Sequence, residues 1–361
     1  MSSSRKDDHV RLAMEQETAR RRSRDFDDVR IVHHPLSAVN VDTVSLEVEI
    51  ADRTWTLPYY INGMTGGSEF TGKVNQALAI AAAETGIAMA SGSMSAYFKD
   101  PACAPSFTVL RDENPHGFLM ANLSANASPE QAREAIELID ADALQIHVNA
   151  VQEIVMPEGD REFEHWPQRI EAIARAVDVP VIVKEVGFGM TGDTVRGLSS
   201  LGVAYVDVAG NGGTDFARIE SARRDDQFSH LNGWGQSAVE SLIDARGASR
   251  DTGVPLFASG GVRTSLDVLK ALALGAKAVG VAGGFLAIVR ESGPDALIRE
   301  IRVWEGQLRS MMALVGARNV PALTRTDLLL TGRVREYADA RGFDLSHFAR
   351  RSGKVSGGLH E

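Results

Sequence analysis

The chain has 361 residues, of which 44% are hydrophobic and 24% are charged, so it is ordinary globular material with enough length for one large domain or two smaller ones. Its net charge of −10 gives no support to the binding of nucleic acid or of an anionic membrane surface, although a local basic pocket could still hold an anionic small molecule. The single cysteine, Cys103, excludes an intrachain disulfide and indicates a reducing compartment, and its surroundings indicate packing rather than reactivity.

The N-terminal segment "MSSSRKDDHVRLAMEQE" lacks the apolar core of a signal peptide, and the sequence contains no uncharged apolar stretch of membrane-spanning length. We therefore expect a cytoplasmic protein without a membrane partner. Residues 1–30 are dense in charge and predict a mobile or ligand-ordered arm followed by a solvated helix. Next, "VSLEVEI" (44–50) alternates apolar and polar residues and is followed by "ADR" and "TWTL", which predicts a hairpin with one buried face.

From residue 58 onward, short apolar runs alternate with helical patterns such as "SPEQAREAIELID" (128–140), in which Ser128 is the predicted N-cap. The near-continuous apolar character of the runs is typical of parallel strands buried on both faces. The predicted strands are 58–62, 87–91, 117–123, 143–148, 179–186, 203–209, 254–259 and 276–282.

Eight strand–helix units predict a (β/α)8 barrel, the TIM barrel fold. A doubly wound open sheet is the alternative, but no G-x-G-x-x-G follows the first strand. We predict a single domain over residues 1–361, with an N-terminal arm and hairpin (1–57), the barrel (58–290) and a C-terminal extension of helices (291–361).

Chemistry-bearing residues collect where the strands end, which is where barrels build their active sites. After the last two predicted strands, glycine-rich turns would let backbone N–H groups approach a phosphate, and a following helix N-terminus would favour the negative charge. Two tight turns that merely require glycine are the alternative. The residues of this predicted phosphate cradle are Gly260, Gly261, Arg263, Ala282, Gly283 and Gly284.

Lys184 lies in the otherwise apolar run "VIVKEV", where a lysine needs an anionic or electron-rich partner unless it reaches solvent at the strand edge. Opposite a phosphate cradle, it indicates a phosphorylated cofactor, and a lysine beside the pyrimidine end of a flavin would stabilise the anionic reduced form.

The loop 210–235 is long for a strand–helix connection, and its aromatic residues Phe216, Phe228 and Trp234 favour a lid that packs over a variable surface insertion. The adjacent histidines of "HHP" (33–35) are interpreted as structural rather than as metal ligands.

Six motifs in consistent order, from about residue 5 to about residue 286, resemble the type 2 isopentenyl diphosphate isomerase family: "RKDDHV", "INGMTGG", "LQIHVNAVQE" with "MPEGDR", "VIVKEVGFG", "GNGGTDF" and "SGGVRTSLDVLKALALGA". The resemblance implies a (β/α)8 barrel with FMN, Mg2+ and a reduced-nicotinamide (NADPH) requirement. It implies an isomerase of isoprenoid biosynthesis that interconverts isopentenyl and dimethylallyl diphosphate, acting as a homotetramer or homooctamer.

The resemblance also implies roles for individual residues. Flavin contacts are implied for Met64, Thr65, Gly66, Ser93, Asn122, Lys184, Thr214, Ser259, Gly260, Gly261, Arg263, Ala282 and Gly283. Substrate contacts are implied for Arg5, Lys6, Ser93, Ser95, His147, Asn149 and Gln152, with Glu153 binding Mg2+ and Gln152, Lys184 and His147 as the catalytic set. Many members carry Gln-Arg where this chain has Met94 and Ser95, so one diphosphate-binding arginine is missing.

The stretch that ends the fourth predicted strand carries His147, Asn149, Gln152 and Glu153. A carboxylate can hold Mg2+, which neutralises a diphosphate. A helix N-terminal acid is the alternative for Glu153, and a satisfied core histidine is the alternative for His147. Isomerisation adds a proton at one carbon and removes one from another, so we expect reduced FMN, through N5, as acid and base, with Gln152 orienting or relaying the proton.

An FMN-dependent 2-hydroxy-acid oxidase or dehydrogenase is the second hypothesis, because it would share the barrel, the lysine and the phosphate turns. It resembles this chain less well, since the loop "GNGGTDF" carries neither the histidine nor the arginine of that family. A flavin-binding barrel without enzymatic activity is a third reading, and it would not require Gln152 and Glu153 beside the cofactor.

Overall fold

A computed structural model describes residues 7, 10–12, 25–222 and 227–354 of the chain. Its centre is a closed barrel of eight parallel strands, in which each strand pairs with the next along the chain and the last pairs with the first. In chain order the strands of the structure are β1 (Val29–Ile31), β2 (Val48–Ile50), β3 (Arg53–Trp55), β4 (Tyr59–Ile61), β5 (Ala88–Ala90), β6 (Leu119–Ser124), β7 (Ala143–His147), β8 (Val181–Lys184), β9 (Tyr205–Asp207), β10 (Leu256–Ser259), β11 (Ala278–Val281) and β12 (Leu328–Leu330).

The barrel consists of β4 to β11, so all eight predicted barrel strands and the predicted fold class are confirmed. Helices lie between the strands and after the barrel. They are α1 (Glu69–Thr85), α2 (Pro105–Glu113), α3 (Pro129–Ile139), α4 (Ala150–Val155), α5 (Trp166–Ala176), α6 (Gly192–Ser199), α7 (Phe216–Ala222), α8 (Ala238–Thr252), α9 (Ser265–Leu274), α10 (Gly283–Ser292), α11 (Pro294–Leu314) and α12 (Gly332–Ala340).

The start of α3 follows the capping rule read from the sequence. The Ser128 hydroxyl accepts the backbone N–H of Gln131, and the Gln131 side chain accepts the backbone N–H of Ser128, so both ends of the first turn are satisfied.

Along β4, successive side chains point to opposite sides of the barrel wall. Tyr59 packs outward and donates its hydroxyl to the carbonyl of Ile301 in α11, whereas Tyr60 points inward and donates to Asp207.

The predicted hairpin closes the end of the barrel opposite the strands' C-termini. β2 and β3 pair antiparallel through a turn in which Ala51 and Asp52 both have positive φ, 53° and 56°, as a two-residue hairpin turn requires. Val48, Ile50 and Trp55 are buried in one cluster with side chains from the beginnings of the barrel strands. The Trp55 ring lies 5.0 Å from Phe118 and 6.0 Å from Phe257, centroid to centroid. The hairpin therefore acts as an apolar plug, and the opposite end stays available for chemistry.

The two ends of the described chain meet in a small sheet. The arm and solvated helix predicted for residues 1–30 lie largely outside the described residues; at 25–31, Phe26 and Val29 are buried and β1 pairs antiparallel with β12. The C-terminal extension, predicted as helices, therefore also contains a three-residue strand. Each strand has three residues, too few for a periodic pattern, and the two lie far apart in sequence, so their pairing was not visible to local reasoning.

Lys270 fixes this terminal unit by donating to the carbonyl of Phe26 at 2.7 Å. His34 lies 2.9 Å from the carboxylate of Asp327, which agrees with a structural role for that histidine.

Within the ranges described, the structure contains no helix with the length and apolarity that a membrane crossing needs.

Trp55 should be the side chain on which the plug depends. Trp55→Ala should lower the free energy of unfolding by about 3–5 kcal/mol, since it leaves a cavity between the hairpin and the barrel floor. Trp55→Phe should cost less than about 1.5 kcal/mol, because it keeps a ring and removes a buried indole N–H that has no partner in the described structure. Urea unfolding followed by circular dichroism measures both. A loss under about 1 kcal/mol for the alanine variant would contradict the plug.

Candidate active site at the C-terminal end of the barrel

A cavity of about 540 Å³ opens among the loops that follow the barrel strands, and its size falls within the range of small-molecule sites. Most residues that the sequence predicted for the site line it together. They are Met64, Ser93, Ser95, Asn122, His147, Asn149, Gln152, Glu153, Lys184, Thr214, Ser259, Gly260, Gly261, Arg263, Ala282 and Gly283.

Four predicted site residues are not among the lining. Arg5 and Lys6 lie outside the described residues. Thr65 and Gly66 lie beneath the lining: the Thr65 hydroxyl hydrogen-bonds to Asn75, and a Cβ atom at Gly66 would lie 2.1 Å from the Phe107 ring. These contacts fix the backbone of the loop after β4, and neither residue lines the cavity.

The glycine turns after β9 and β10 lie backbone against backbone. Gly260 has a φ of 93°, and a Cβ atom there would lie 1.9 Å from the carbonyl oxygen of Gly210. Packing alone therefore requires glycine at position 260, which was the alternative to a phosphate cradle. Gly284 differs, because a Cβ atom there would meet nothing within 4 Å although the residue lines the cavity. Open space beside the first turn of the ten-residue helix α10 is what an anion such as a phosphate group needs.

Lys184 ends β8 and is buried, so the alternative of a solvent-reaching lysine is excluded. Its Nζ donates to the backbone carbonyl of Glu185 at 2.8 Å. Burial lowers the pKa of the lysine, while the nearby carboxylates of Asp207 and Glu185 act in the opposite direction. The carbonyl and the two carboxylates compensate the burial of the ammonium only in part, and at the cavity lining this suits an anionic or electron-rich ligand.

Glu185 is a buried residue that the sequence reasoning did not single out. Its carboxylate accepts the backbone N–H groups of Val186, Gly187 and Phe188 at 2.7, 2.8 and 2.6 Å. Burial nevertheless raises its pKa to about 7, with the three N–H groups and Lys184 only partly compensating. Because Val186 and Gly187 line the cavity, this carboxylate holds one wall in place. Its position directly after Lys184 was the only signal in the sequence.

Asp207 ties three strands together beneath the cavity. It accepts hydrogen bonds from the Tyr60 hydroxyl at 2.9 Å, from the Ser259 hydroxyl at 2.9 and 3.0 Å, and from the backbone N–H of Ala209 at 3.0 Å. Burial, followed by the Asp207 charge, raises the pKa of Tyr60 well above its usual range, so Tyr60 remains a hydrogen-bond donor. The Ser259 hydroxyl is therefore engaged below the cavity rather than free to meet a ligand.

The polar cluster after β7 is organised by one amide. Asn149 donates from Nδ2 to Gln152 Oε1 at 3.2 Å and to Glu153 Oε1 at 2.8 Å, because both residues lie on the first turn of α4. The second carboxylate oxygen of Glu153 accepts the backbone N–H of Asp160 at 2.9 Å. His147 Nδ1 lies 2.8 Å from Asn122 Oδ1 on the neighbouring strand. Asn149 Oδ1 is buried without a partner in the described structure, an acceptor left for a ligand.

These residues fit a magnesium ion shared with a phosphorylated substrate. Mg2+ is usually held by one or two carboxylates together with substrate phosphates and water, rather than by a complete protein cage. Glu153 offers one such carboxylate at the cavity wall, and the described residues contain no cluster of three or more His, Cys, Asp or Glu side chains arranged for a metal.

Within the loop 210–235, described residues border the cavity and pack against helix α4. Phe216 lines the cavity at the start of α7, and Ala217 joins Val155 and Phe188 in a small separate core against which Phe228 packs. This core connects α7 to α4, the helix that carries Gln152 and Glu153. Trp234 is 57% exposed, so the prediction that all three loop aromatics pack was wrong for that residue.

The chain matches the model of one protein family and the sequences of many known proteins. Residues 109–330 match the model of the FMN-dependent dehydrogenase family. The isopentenyl-diphosphate delta-isomerase of Streptomyces sp. (strain CL190) is 52% identical over 98% of this chain and 97% of its own length. The enzyme of the same name from Nocardia farcinica (strain IFM 10152) is 54% identical, again over 98% and 97%.

Solved structures share the fold at low identity. A mandelate oxidase variant carrying the C4a-OH-FMN adduct superposes with a TM-score of 0.62 and 18% identity over 90% of this chain and 92% of its own. A flavocytochrome b2 variant with sulfite bound gives a TM-score of 0.63 and 18% identity over 83% and 75%. At this identity the likeness establishes the barrel architecture alone.

Glu185 should make stability depend on pH. The unfolded chain releases this proton near pH 4.5 and the folded protein near pH 7, so between these values the folded state binds more protons. Stability should therefore fall by about 3 kcal/mol as pH rises through that window. Glu185→Gln is permanently neutral, so it should lack this fall.

The measurement is the thermal midpoint of wild type and variant from pH 5 to pH 7.5, with Glu47→Gln as an exposed control. The advantage of the Glu185→Gln variant over wild type should grow with pH. A difference that stays constant across the range would show that Glu185 is not the titrating group.

Proposed function

The chain belongs to the FMN-dependent, type 2 family of isopentenyl-diphosphate delta-isomerases, and from this premise we propose how its cavity carries out the reaction. The enzyme interconverts isopentenyl diphosphate and dimethylallyl diphosphate in isoprenoid biosynthesis. Near-full-length relatives at 52–54% identity confirm the resemblance read from the six sequence motifs. The observation that carries the mechanism is the convergence of a buried lysine, glycine turns and the Asn149 cluster on one cavity.

FMN is the cofactor of this family, and the cavity offers a place for each end of it. The phosphate would lie at the turns formed by Gly260–Gly261 and Ala282–Gly284, with the N-terminus of α10 favouring its charge. Met64, Ser93, Asn122 and Thr214 would contact the ring system from the loops around the barrel.

Lys184 would lie at the pyrimidine end of the flavin. Its ammonium is buried and its pKa is lowered by that burial, so a negative charge on the ring would relieve an unfavourable environment. This placement would stabilise the reduced, anionic flavin over the oxidised form. We propose NADPH as the reductant that provides the reduced state.

The diphosphate would bind on the β5–β7 side of the cavity. Glu153 would hold Mg2+, which neutralises the phosphates, and Ser95 and His147 would direct hydrogen bonds to the substrate. Asn149, whose Nδ2 hydrogens are taken by Gln152 and Glu153, would accept at Oδ1 from a bound water. The arm residues Arg5 and Lys6 would add charge from the N-terminus. Phe216 and the α7 lid would exclude water from the hydrocarbon end.

When bound, reduced FMN supplies a proton donor and acceptor at N5. Gln152 is buried at the cavity wall, and its side-chain oxygen is held by Asn149 Nδ2, which leaves its amide N–H groups to orient the reacting end of the substrate. His147 would keep its orientation through Asn122 and hold a substrate oxygen. The chain thereby positions the alkene and its proton source without a strong acid of its own.

The 2-hydroxy-acid oxidase hypothesis is the weaker one. The oxidase and flavocytochrome structures share the fold at 18% identity, whereas the isomerases match at 43–54% over nearly the whole chain. The loop between Gly210 and Phe216, which lines the cavity, carries neither a histidine nor an arginine to abstract a proton and clamp a carboxylate. Oxygen consumption with hydroxy acids should accordingly be absent.

We further propose one domain over residues 1–361, a cytoplasmic location, and assembly as a homotetramer or homooctamer. Support for a single domain comes from the termini, since the hairpin plugs the barrel and Trp304 of α11 packs at 5.9 Å, centroid to centroid, on Tyr59 of β4.

Purified protein should show the visible absorption bands of bound oxidised flavin and, after reduction, should isomerise isopentenyl diphosphate. Lys184→Ala should lower activity and shift the flavin reduction potential to more negative values, because the reduced anion loses its cation. Lys73→Ala, on the exposed face of α1, is the matched control. An unchanged potential together with unchanged activity in the Lys184 variant would refute this placement.

Gln152 and Glu153 should fail in different ways although both accept from Asn149. Glu153→Gln keeps the shape and removes the charge, so it should move the Mg2+ dependence of the rate to higher concentration and be partly rescued by excess metal. Gln152→Ala should lower kcat by a factor of order 100 without rescue, if the amide serves in proton transfer. The assay is isomerisation with dithionite-reduced enzyme, titrated with Mg2+. Wild-type metal dependence in both variants would exclude Glu153 as the metal ligand.

A further inference from the structure

We propose that Lys99 binds the terminal phosphate of the substrate diphosphate. The inference rests on the proposed function, since it concerns the substrate end of the same cavity. Among the cavity-lining residues that the structure describes, the lysines and arginines are Lys99, Lys184 and Arg263.

The other two cations serve other parts of the cavity. Lys184 is buried in the barrel mouth and held by the Glu185 carbonyl, and Arg263 follows β10 at the glycine turns, where its Nη2 donates to the carbonyl of Gly212 at 3.3 Å. Lys99 follows β5 instead. It therefore lies on the side of the cavity that β6 and β7 line with Asn126 and His147.

This side of the cavity is otherwise acidic. Glu153 and Asp160 line it, and a single Mg2+ on Glu153 would not offset a diphosphate together with these carboxylates. Arg161 is close in sequence but committed elsewhere, since its guanidinium donates to the backbone carbonyls of Glu153, Met156, Gly159 and Asp160. Besides the arm residues Arg5 and Lys6 proposed above, Lys99 is the cation that the described lining places on this side of the cavity.

Hydrogen bonds and an aromatic contact hold the segment that carries Lys99 in place. Its backbone N–H donates to the carbonyl of Ala96 at 3.2 Å, and the next N–H, of Asp100, donates to the same carbonyl at 3.0 Å. Tyr97 is fixed by its hydroxyl, which donates to Glu134 at 2.8 Å, and by an edge contact with the Phe98 ring at 5.1 Å.

The Lys99 side chain itself is exposed at the rim and has no ion-pair partner in the described ranges. A flexible four-carbon stem with a compact ammonium can follow a phosphate without disturbing its fixed backbone. Ser95, which lies on the same loop and lines the cavity, would then contact the diphosphate beside it. The loop after β5 thus offers a lysine four residues beyond the position where the arginine was expected from the sequence.

The test compares Lys99→Gln, Lys99→Arg and the control Lys73→Gln, an exposed lysine that pairs with Glu69 outside the cavity. Each FMN-loaded protein is titrated calorimetrically with inorganic pyrophosphate in excess Mg2+, and KM is measured for isopentenyl diphosphate. Lys99→Gln should weaken pyrophosphate binding and raise KM by about tenfold, because it removes one charge-assisted contact. Lys99→Arg should recover most of the loss, and Lys73→Gln should match wild type.

Isopentenyl monophosphate tests which of the two phosphates Lys99 contacts, since it lacks the terminal one. Its binding should be the same in wild type and Lys99→Gln, and an equal loss for both ligands would overturn the terminal assignment. Unchanged pyrophosphate affinity in Lys99→Gln, equal losses in the Gln and Arg variants, or no pyrophosphate binding by wild type would each overturn the proposal. A wild type that binds pyrophosphate through Lys99 yet fails to isomerise would overturn the proposed function and leave the Lys99 site standing.

Discussion

A lysine ammonium buried at the C-terminal end of β8 is the constraint around which the site is organised. Burial disfavours the charge on Lys184, and the protein answers with one carbonyl contact and two carboxylates, Glu185 and Asp207, that are themselves buried. Each of these carboxylates also fixes backbone: Glu185 holds the wall at 186–188, and Asp207 joins β4, β9 and β10. The same groups that tolerate the lysine therefore shape the cavity that a flavin would fill.

The two ends of the barrel follow opposite physical rules. At the beginnings of the strands, the hairpin residues Val48, Ile50 and Trp55 close the interior with apolar and aromatic contacts. At the ends of the strands, backbone packing is so close at Gly260 and Gly210 that side chains are excluded, and main-chain groups become the lining. An apolar floor under a polar mouth lets the loops above it change chemistry without disturbing the core.

The Asn149 cluster explains why one short segment carries so many polar side chains. A single amide orients both Gln152 and Glu153, so the residue proposed for the metal and the residue proposed for the reacting carbons share one support. The small core of Val155, Phe188 and Ala217 then links their helix to α7, whose first residue, Phe216, lines the cavity. Lys99 would complete this side from a separate loop, which divides the work of neutralising a diphosphate among residues of β5, β7 and their connections.

The sequence by itself determined the barrel, its strand order and most of the lining, because strands buried on both faces read as continuous apolar runs and the polar residues at their ends must converge. It did not determine the β1–β12 pairing, since two three-residue strands at opposite ends of the chain carry no local signal. It also passed over Glu185 and Lys99: strand alternation directs Glu185 away from its neighbour, and Lys99 reads as an ordinary charged loop residue. Only the tertiary structure shows that the Glu185 carboxylate folds back onto three N–H groups and that Lys99 reaches the cavity rim, because both facts depend on loop conformation that side-chain periodicity does not encode.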